Sequence, residues 1–171
     1  MSKPGEAKKA WQPLLPPGRH LMTVHDLERL TVTPFAGSTT RVGIFAEFRR
    51  LMVDLQAHDL VGEVWVDGSF LTEKLDPDDI DLSFGFHPDR MDAQTPEAQS
   101  FVVNMLNGNK TYSPFIDSYI CVMFPQGDPR HGANTEDYWA EKWLNGWDDR
   151  LKGFVVIKLG ESDLWFNLYA H

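Results

Sequence analysis

Two strand-like segments joined by a polar loop stand in the middle of the sequence. EVWV (63–66) consists largely of β-forming residues, and DIDLSF (79–84) alternates strictly between polar and apolar residues. Such alternation is typical of a strand that has one face in the core and one face open. Because side chains alternate with a period of two, Asp79 and Asp81 should lie on the same face, roughly 6–7 Å apart along the strand.

The flanking segments predict helices and two further strands. Apolar spacing and capping residues indicate helices that start near residue 23 and that cover 41–57, 95–107 and 135–146. Apolar runs next to proline or glycine predict strands at 115–124 and 153–159. This order of elements indicates one α/β domain over residues 19–171, preceded by an extended proline-rich tail over residues 1–18.

The composition excludes several classes of protein. The chain has 171 residues, of which 42% are hydrophobic, and its sequence contains no apolar run of the length that spans a membrane. The basic N-terminal segment lacks the apolar stretch of a secretory signal, and the single cysteine, Cys121, excludes an internal disulfide framework, so a cytoplasmic protein is expected. The net charge of −9 argues against non-specific binding to duplex DNA.

The aspartates at 79 and 81 and the preceding glycine-serine turn point to phosphate chemistry. Two unpaired carboxylates this close repel each other, and a cation between them removes the repulsion. Hard oxygen ligands that leave room for water and phosphate oxygens suit Mg²⁺ or Mn²⁺. Gly68 lets the backbone approach a ligand closely, and the Ser69 hydroxyl can bond a phosphate oxygen.

The arrangement of strand, Gly-Ser, nine residues, Asp-Ile-Asp and strand resembles the signature of the DNA polymerase β-like nucleotidyltransferase superfamily. A family of small, stand-alone bacterial nucleotidyltransferase-like proteins is similar over most of the chain. The segments that carry this likeness are PPG (16–18), the long helix, GSFLTEKLDPDDIDL (68–82) and YWAEKWLNGWDDRLKG (138–153). The resemblance implies an α+β fold in which helices pack mainly on one face of a mixed β-sheet.

The resemblance also implies a site with two metal ions. Asp79, Asp81 and, on a neighbouring strand, Asp117 would be the catalytic residues and the ligands of two Mg²⁺ or Mn²⁺ ions. An acid in the apolar strand 115–124 is costly unless it is compensated, although Asp117 could also be an exposed strand-entry residue. The residues expected to bind the nucleotide are Gly68, Ser69, Phe70, Thr72, Lys74, Arg150 and Lys152.

Several of these residues have a second interpretation. The three basic ones, at 74, 150 and 152, could be solvated, and Thr72 could cap its loop. Asp67 is predicted to be a turn acid or a hydrogen-bond partner of the Gly-Ser backbone, and Asp78 a turn residue, so that neither is expected to bind metal. Four aromatic residues recur near the predicted helix 135–146 and could pack in the core or stack on a base: Tyr138, Trp139, Trp143 and Trp147.

The sequence therefore predicts a template-independent nucleotidyltransferase that moves NMP or dNMP from an NTP or dNTP to a hydroxyl and releases pyrophosphate. The acceptor would be a single-stranded oligonucleotide or a protein hydroxyl, such as that of Tyr169, in bacterial defence, with an effector protein or a second copy of the chain as further partners. One alternative is a toxin-type enzyme that modifies tRNA or a protein, although the acidic net charge disfavours tRNA. The other is a catalytically silent nucleotide-binding or antitoxin-like module.

Overall fold

A computed structural model of the chain describes residues 11–125, 128–130, 136–146 and 150–160. The helices in these residues are α1 (Val24–Thr31), α2 (Arg41–Ala57), α3 (Pro88–Asp92), α4 (Pro96–Met105) and α5 (Glu136–Leu144). The strands are β1 (Gly18–Leu21), β2 (Gly62–Asp67), β3 (Ile80–Phe86), β4 (Ile116–Val122) and β5 (Gly153–Leu159). Within the same residues, no helix is both long enough and apolar enough to cross a membrane.

The strands form one mixed sheet in the order β1-β5-β2-β3-β4. β2 is antiparallel to both of its neighbours, β5 and β3. Each outer strand runs parallel to the strand beside it, β1 to β5 and β4 to β3. The predicted combination of helices with a mixed sheet is therefore confirmed as an α+β architecture.

The two faces of the sheet are covered by different helices. Helices α1, α2 and α4 pack on one face, where strand residues such as Leu82 meet Phe48 and its neighbours in the larger hydrophobic core. Helix α5 packs on the other face, where Trp143 lies in a smaller cluster with Trp65. Because strand side chains alternate, Asp81 points away from the face of Leu82 and toward the α5 side.

Arg41, the first residue of α2, holds the loop between β2 and β3. Its buried guanidinium donates hydrogen bonds of 2.6 to 3.2 Å to the backbone carbonyls of Thr31, Phe70, Thr72, Lys74 and Leu75. The guanidinium carbon also lies 3.7 Å from the centre of the Phe35 ring. Burial lowers the pKa of Arg41 to about 10, so the side chain stays cationic at neutral pH.

Residues of the predicted N-terminal tail lie against the same loop. The Leu14 amide donates to the Leu71 carbonyl and the Glu73 amide donates to the Gln12 carbonyl, each at 2.9 Å. Pro13 and Thr72 form an isolated antiparallel bridge between these two bonds. The loop is thus fixed from two sides, by the N-terminal segment and by Arg41.

Candidate functional site: an acidic cluster beside a tight turn

Three aspartates lie side by side on adjacent strands at one end of the sheet. Asp81 of β3 is the register partner of Asp67 in β2 and also of Asp117 in β4. Asp79 immediately precedes β3. We call these four residues the acidic cluster. The structure thus brings together the three carboxylates that the sequence predicts to be catalytic, and it adds Asp67 to them.

Asp81 is at the centre of this cluster, and its pKa is raised by its surroundings. Burial, together with the charges of Asp79, Asp67 and Asp117, raises the pKa of Asp81 to about 7. The charge of Lys152 acts in the opposite direction but does not cancel the shift. The pKa shows that the site favours an added positive charge, which a proton or a metal cation can supply.

The carboxylates around Asp81 already have partners within the protein. Lys152 Nζ lies 2.5 Å from Asp67 Oδ2 in an almost fully buried ion pair. Lys110 Nζ lies 2.5 Å from Asp79 Oδ2 at the more open side of the cluster. The Tyr119 hydroxyl donates a hydrogen bond of 3.0 Å to Asp117 Oδ2. Among the residues that the structure describes, these contacts leave one buried side-chain atom, Asp67 Oδ1, without a hydrogen-bond donor.

The Tyr119 hydroxyl remains protonated because of where it lies. Burial, followed by the hydrogen bond to Asp117, raises the pKa of Tyr119 to about 12. Its ring packs against Trp139 with the centroids 4.8 Å apart. Tyr119 therefore links the acidic cluster to the aromatic residues of α5.

The donor set of the cluster suits a hard divalent cation. All four side chains offer carboxylate oxygens, which Mg²⁺ and Mn²⁺ prefer, and the charges of Asp79, Asp67 and Asp117, which add to burial in raising the pKa of Asp81, favour a cation at this place. However, in the part of the chain that the structure describes, no three His, Cys, Asp or Glu side chains are grouped as a ready-made metal site. Metal binding by these residues would require Asp79 and Asp117 to exchange their contacts with Lys110 and Tyr119.

Gly68 makes the tight turn that leads from β2 into the loop. Its φ of +81° is a left-handed value that favours glycine, and a Cβ at this position would overlap the carboxylate of Asp81. Ser69–Leu71 form a 3₁₀ turn directly after it. The close approach of this backbone to Asp81 places the predicted phosphate-binding turn beside the acidic cluster.

We expect Gly68→Ala to reduce the free energy of unfolding by about 3 kcal/mol, because alanine adds both backbone strain and a clash with Asp81. Urea denaturation of the full chain measures the change. Gly43→Ala in α2 is the matched control, since a Cβ there meets no atom within 4 Å beyond its own stretch of helix and alanine favours a helix. Equal stability of the Gly68→Ala and wild-type chains would contradict this account.

The other predicted binding residues have mixed surroundings. Phe70 is buried in the larger core, so that only its backbone could face a ligand. The Thr72 hydroxyl donates to the Ser69 carbonyl at 2.8 Å, in agreement with a loop-capping role. Lys74 forms an ion pair of 2.7 Å with the exposed Asp78. Arg150 donates to Gln12 Oε1 at 3.2 Å.

Two more sequence-based expectations concern aromatic residues. Trp139 and Trp143 are buried, with their rings stacked on each other at 5.3 Å, so that core packing accounts for them. Tyr138 is 45% exposed. Trp147 and the proposed acceptor Tyr169 lie outside the described residues.

Sequence reasoning assigned no role in the site to two residues that contact the acidic cluster, Lys110 and Tyr119. Lys110 follows Asn107-Gly108-Asn109, a run of turn-forming residues shortly before β4 and Asp117, and this run was the available signal. Tyr119 lies two residues after Asp117 and therefore on the same face of β4. The period-two spacing of a strand predicts this shared face, but not the hydrogen bond between Tyr119 and Asp117.

Comparison with known proteins gives a family for the chain. The model of a family described as a family of unknown function (DUF6932) matches residues 9–158, and the chain belongs to this family. None of the curated proteins and none of the solved structures matches the chain. The matched range contains the whole acidic cluster and the loop after Gly68.

Proposed function

We propose that the chain is a metal-dependent, template-independent nucleotidyltransferase with a polymerase β-like fold. It would transfer NMP or dNMP from an NTP or dNTP to a hydroxyl acceptor and release pyrophosphate. The observation that carries the proposal is the convergence of Asp79, Asp81 and Asp117 beside the Gly68 turn. These residues join the acidic half and the phosphate-binding half of the sequence signature in one place.

Asp79, Asp81 and Asp117 are the residues that would hold two Mg²⁺ or Mn²⁺ ions. The fit rests on their oxygen donors, on the raised pKa of Asp81 and on the buried Asp67 Oδ1 that lacks a donor. When bound, such ions lower the pKa of the acceptor hydroxyl and offset the charge of the triphosphate. Lys152 would hold Asp67 in place at the inner side of the cluster, because the two side chains form a buried ion pair.

The residues of the loop would orient the nucleotide. Ser69 and the backbone of residues 68–70 would bond the β- and γ-phosphates, while Arg41 fixes the backbone of that loop through its carbonyls. In the transfer, the acceptor oxygen forms a bond to the α-phosphorus. The bond from that phosphorus to the pyrophosphate oxygen breaks, and the hydroxyl proton passes to water.

The test is incubation of the purified full chain with each labelled NTP and dNTP, with Mg²⁺ or Mn²⁺, with and without a single-stranded oligonucleotide. We expect labelled oligonucleotide, or labelled protein, with the wild-type chain and none with Asp79→Asn/Asp81→Asn. Intact mass of the wild-type and Tyr169→Phe chains distinguishes self-modification at Tyr169 from transfer to another acceptor. A flat result with all eight nucleotides would overturn the proposal.

A catalytically silent nucleotide-binding module is the second candidate. The observation that favours it is that Asp67, Asp79 and Asp117 each contact a lysine or a tyrosine within the protein. Such a module would bind a labelled nucleotide in equilibrium dialysis without forming a labelled product. The same incubation therefore separates the two candidates when it is combined with a binding measurement.

A further inference from the structure

The turn that carries Lys110 has an unusual backbone. Three consecutive residues, Gly108, Asn109 and Lys110, have left-handed φ values of +87°, +59° and +53°. Only glycine adopts this region freely, so the conformation of the other two must be imposed by their surroundings. The Gly108 amide donates to the Ser118 carbonyl of β4 at 2.6 Å, and the Thr111 hydroxyl donates back to the Gly108 carbonyl at 3.1 Å. These bonds fix the turn against the strand that contains Asp117.

The strained turn directs Lys110 toward the acidic cluster. Its Nζ atom lies 2.5 Å from Asp79 Oδ2, and its side chain is 39% exposed, so solvent can reach the pair. The hydrogen bond to Asp79 raises the pKa of Lys110, and the charges of Asp117 and Asp81 add to this effect. The Lys110–Asp79 pair thus places a positive charge at the open side of the acidic cluster.

The other lysine of the site is placed differently. Lys152 is only 13% exposed, and its partner Asp67 is almost fully buried. Opening of this pair would therefore leave a buried carboxylate without a counter-charge. The Lys110–Asp79 pair is at the surface, where exchange with a dissolved cation is possible. Of these two lysines, Lys110 is the one that a cation can displace.

We propose that Lys110 is a built-in counter-cation of the acidic cluster, which a divalent cation must displace from Asp79. Binding of the cation and the conformation of the 107–111 turn are therefore coupled. The inference rests on the metal-binding part of the proposed function. It adds a residue that opposes metal binding until the cation is present in sufficient concentration.

The first test is Mn²⁺ affinity, measured at low ionic strength from the electron paramagnetic resonance signal of free Mn²⁺. We expect Lys110→Gln to bind Mn²⁺ about tenfold more tightly than the wild-type chain, because one positive charge next to the site is lost. Lys110→Arg keeps the charge and should stay within about twofold of wild type. The matched control is Lys158→Gln, which removes a lysine 3.8 Å from Glu63, at the opposite end of β2 from Asp67.

The second test uses the wild-type chain and needs no variant that could misfold. Hydrogen exchange of the peptide that covers residues 106–113 should become at least about threefold faster when Mn²⁺ is added, because the turn then loses the ion pair of Lys110 with Asp79 that supplements its hydrogen bonds. Unchanged exchange with bound Mn²⁺ would overturn the inference.

The possible results separate this inference from the proposed function. Equal Mn²⁺ affinity of the wild-type and Lys110→Gln chains would overturn the inference and leave the metal site intact. Absence of Mn²⁺ binding in both chains would overturn the inference and the metal dependence of the proposed function together.

Discussion

Replacement of Asp81 by asparagine should reduce nucleotidyl transfer by at least about 1,000-fold while making the metal-free protein more stable at pH 8. The loss of activity follows if Asp81 is the central metal ligand, since an amide replaces a charged oxygen donor. The gain in stability follows from the strand register, which places Asp81 between Asp67 and Asp117. An uncharged side chain removes both the cost of burying a charge and the repulsion by Asp79, Asp67 and Asp117, which together raise the pKa of Asp81 to about 7.

The raised pKa of Asp81 also determines the direction in which the stability of the protein changes with pH. The pKa of Asp81 is higher in the folded protein than its ordinary value of 3.8, so the folded chain binds the proton more tightly than the unfolded chain does. The free energy of unfolding therefore falls as the pH rises from about 4 to about 7, by about 4 kcal/mol at most for this residue. In Asp81→Asn this part of the pH dependence should be absent.

Thermal unfolding in EDTA at pH 5 and pH 8, together with the labelled-nucleotide reaction, measures both effects. The matched control is Asp78→Asn, because Asp78 is exposed and its carboxylate bonds Lys74 outside the acidic cluster. Retained activity in Asp81→Asn would contradict the proposed function. A less stable Asp81→Asn protein at pH 8 would contradict the electrostatic account of the cluster.

Replacement of Arg41 by methionine should lower the free energy of unfolding by about 4 kcal/mol or more. Methionine can occupy much of the space but cannot donate to the five carbonyls that the guanidinium bonds, and each buried carbonyl left without a donor costs about 1–3 kcal/mol. Lysine should restore little of the loss, since its compact ammonium cannot reproduce the planar set of donors. The loop after Gly68 would lose its support at the same time.

Urea denaturation of Arg41→Met and Arg41→Lys measures this effect. Arg50→Met is the control on the same helix, because Arg50 is exposed, pairs with Glu47 and stacks on Tyr112 at the surface. Its replacement should change the free energy of unfolding by less than about 1 kcal/mol. A similarly small change in Arg41→Met would show that the loop is held by other contacts, such as the bonds to residues 12–14.

Local patterns of the sequence predict the elements that bear the site. Helix α2 and strand β5 have the predicted bounds, because the first has a strong apolar stripe and the second is an apolar run next to a glycine. The alternation in DIDLSF correctly places Asp81 on the face opposite the core residues of β3. The register of β3 with β4 then brings Asp117 opposite Asp81, as the resemblance implies.

Features that depend on distant parts of the chain could not be predicted in this way. Strand β1 (Gly18–Leu21) is short and half polar, and it forms only because β5 offers a parallel partner. Arg41 looks like an ordinary surface residue at a helix start until the loop folds over it. The ion pair of Asp67 and Lys152 joins residues 85 positions apart, and no periodic pattern in the sequence predicts such a contact.

Strand β5, the last strand within the described residues, lies inside the sheet between β1 and β2. During synthesis, β1 consequently has no neighbour to pair with until residues 153–159 have left the ribosome. Asp67 likewise cannot form its ion pair until Lys152 has been synthesised. Up to that point, burial of the Asp67 carboxylate would be uncompensated. Completion of the sheet and neutralisation of its inner charge therefore depend on the same short segment, residues 152–159, which is translated after the other described strands.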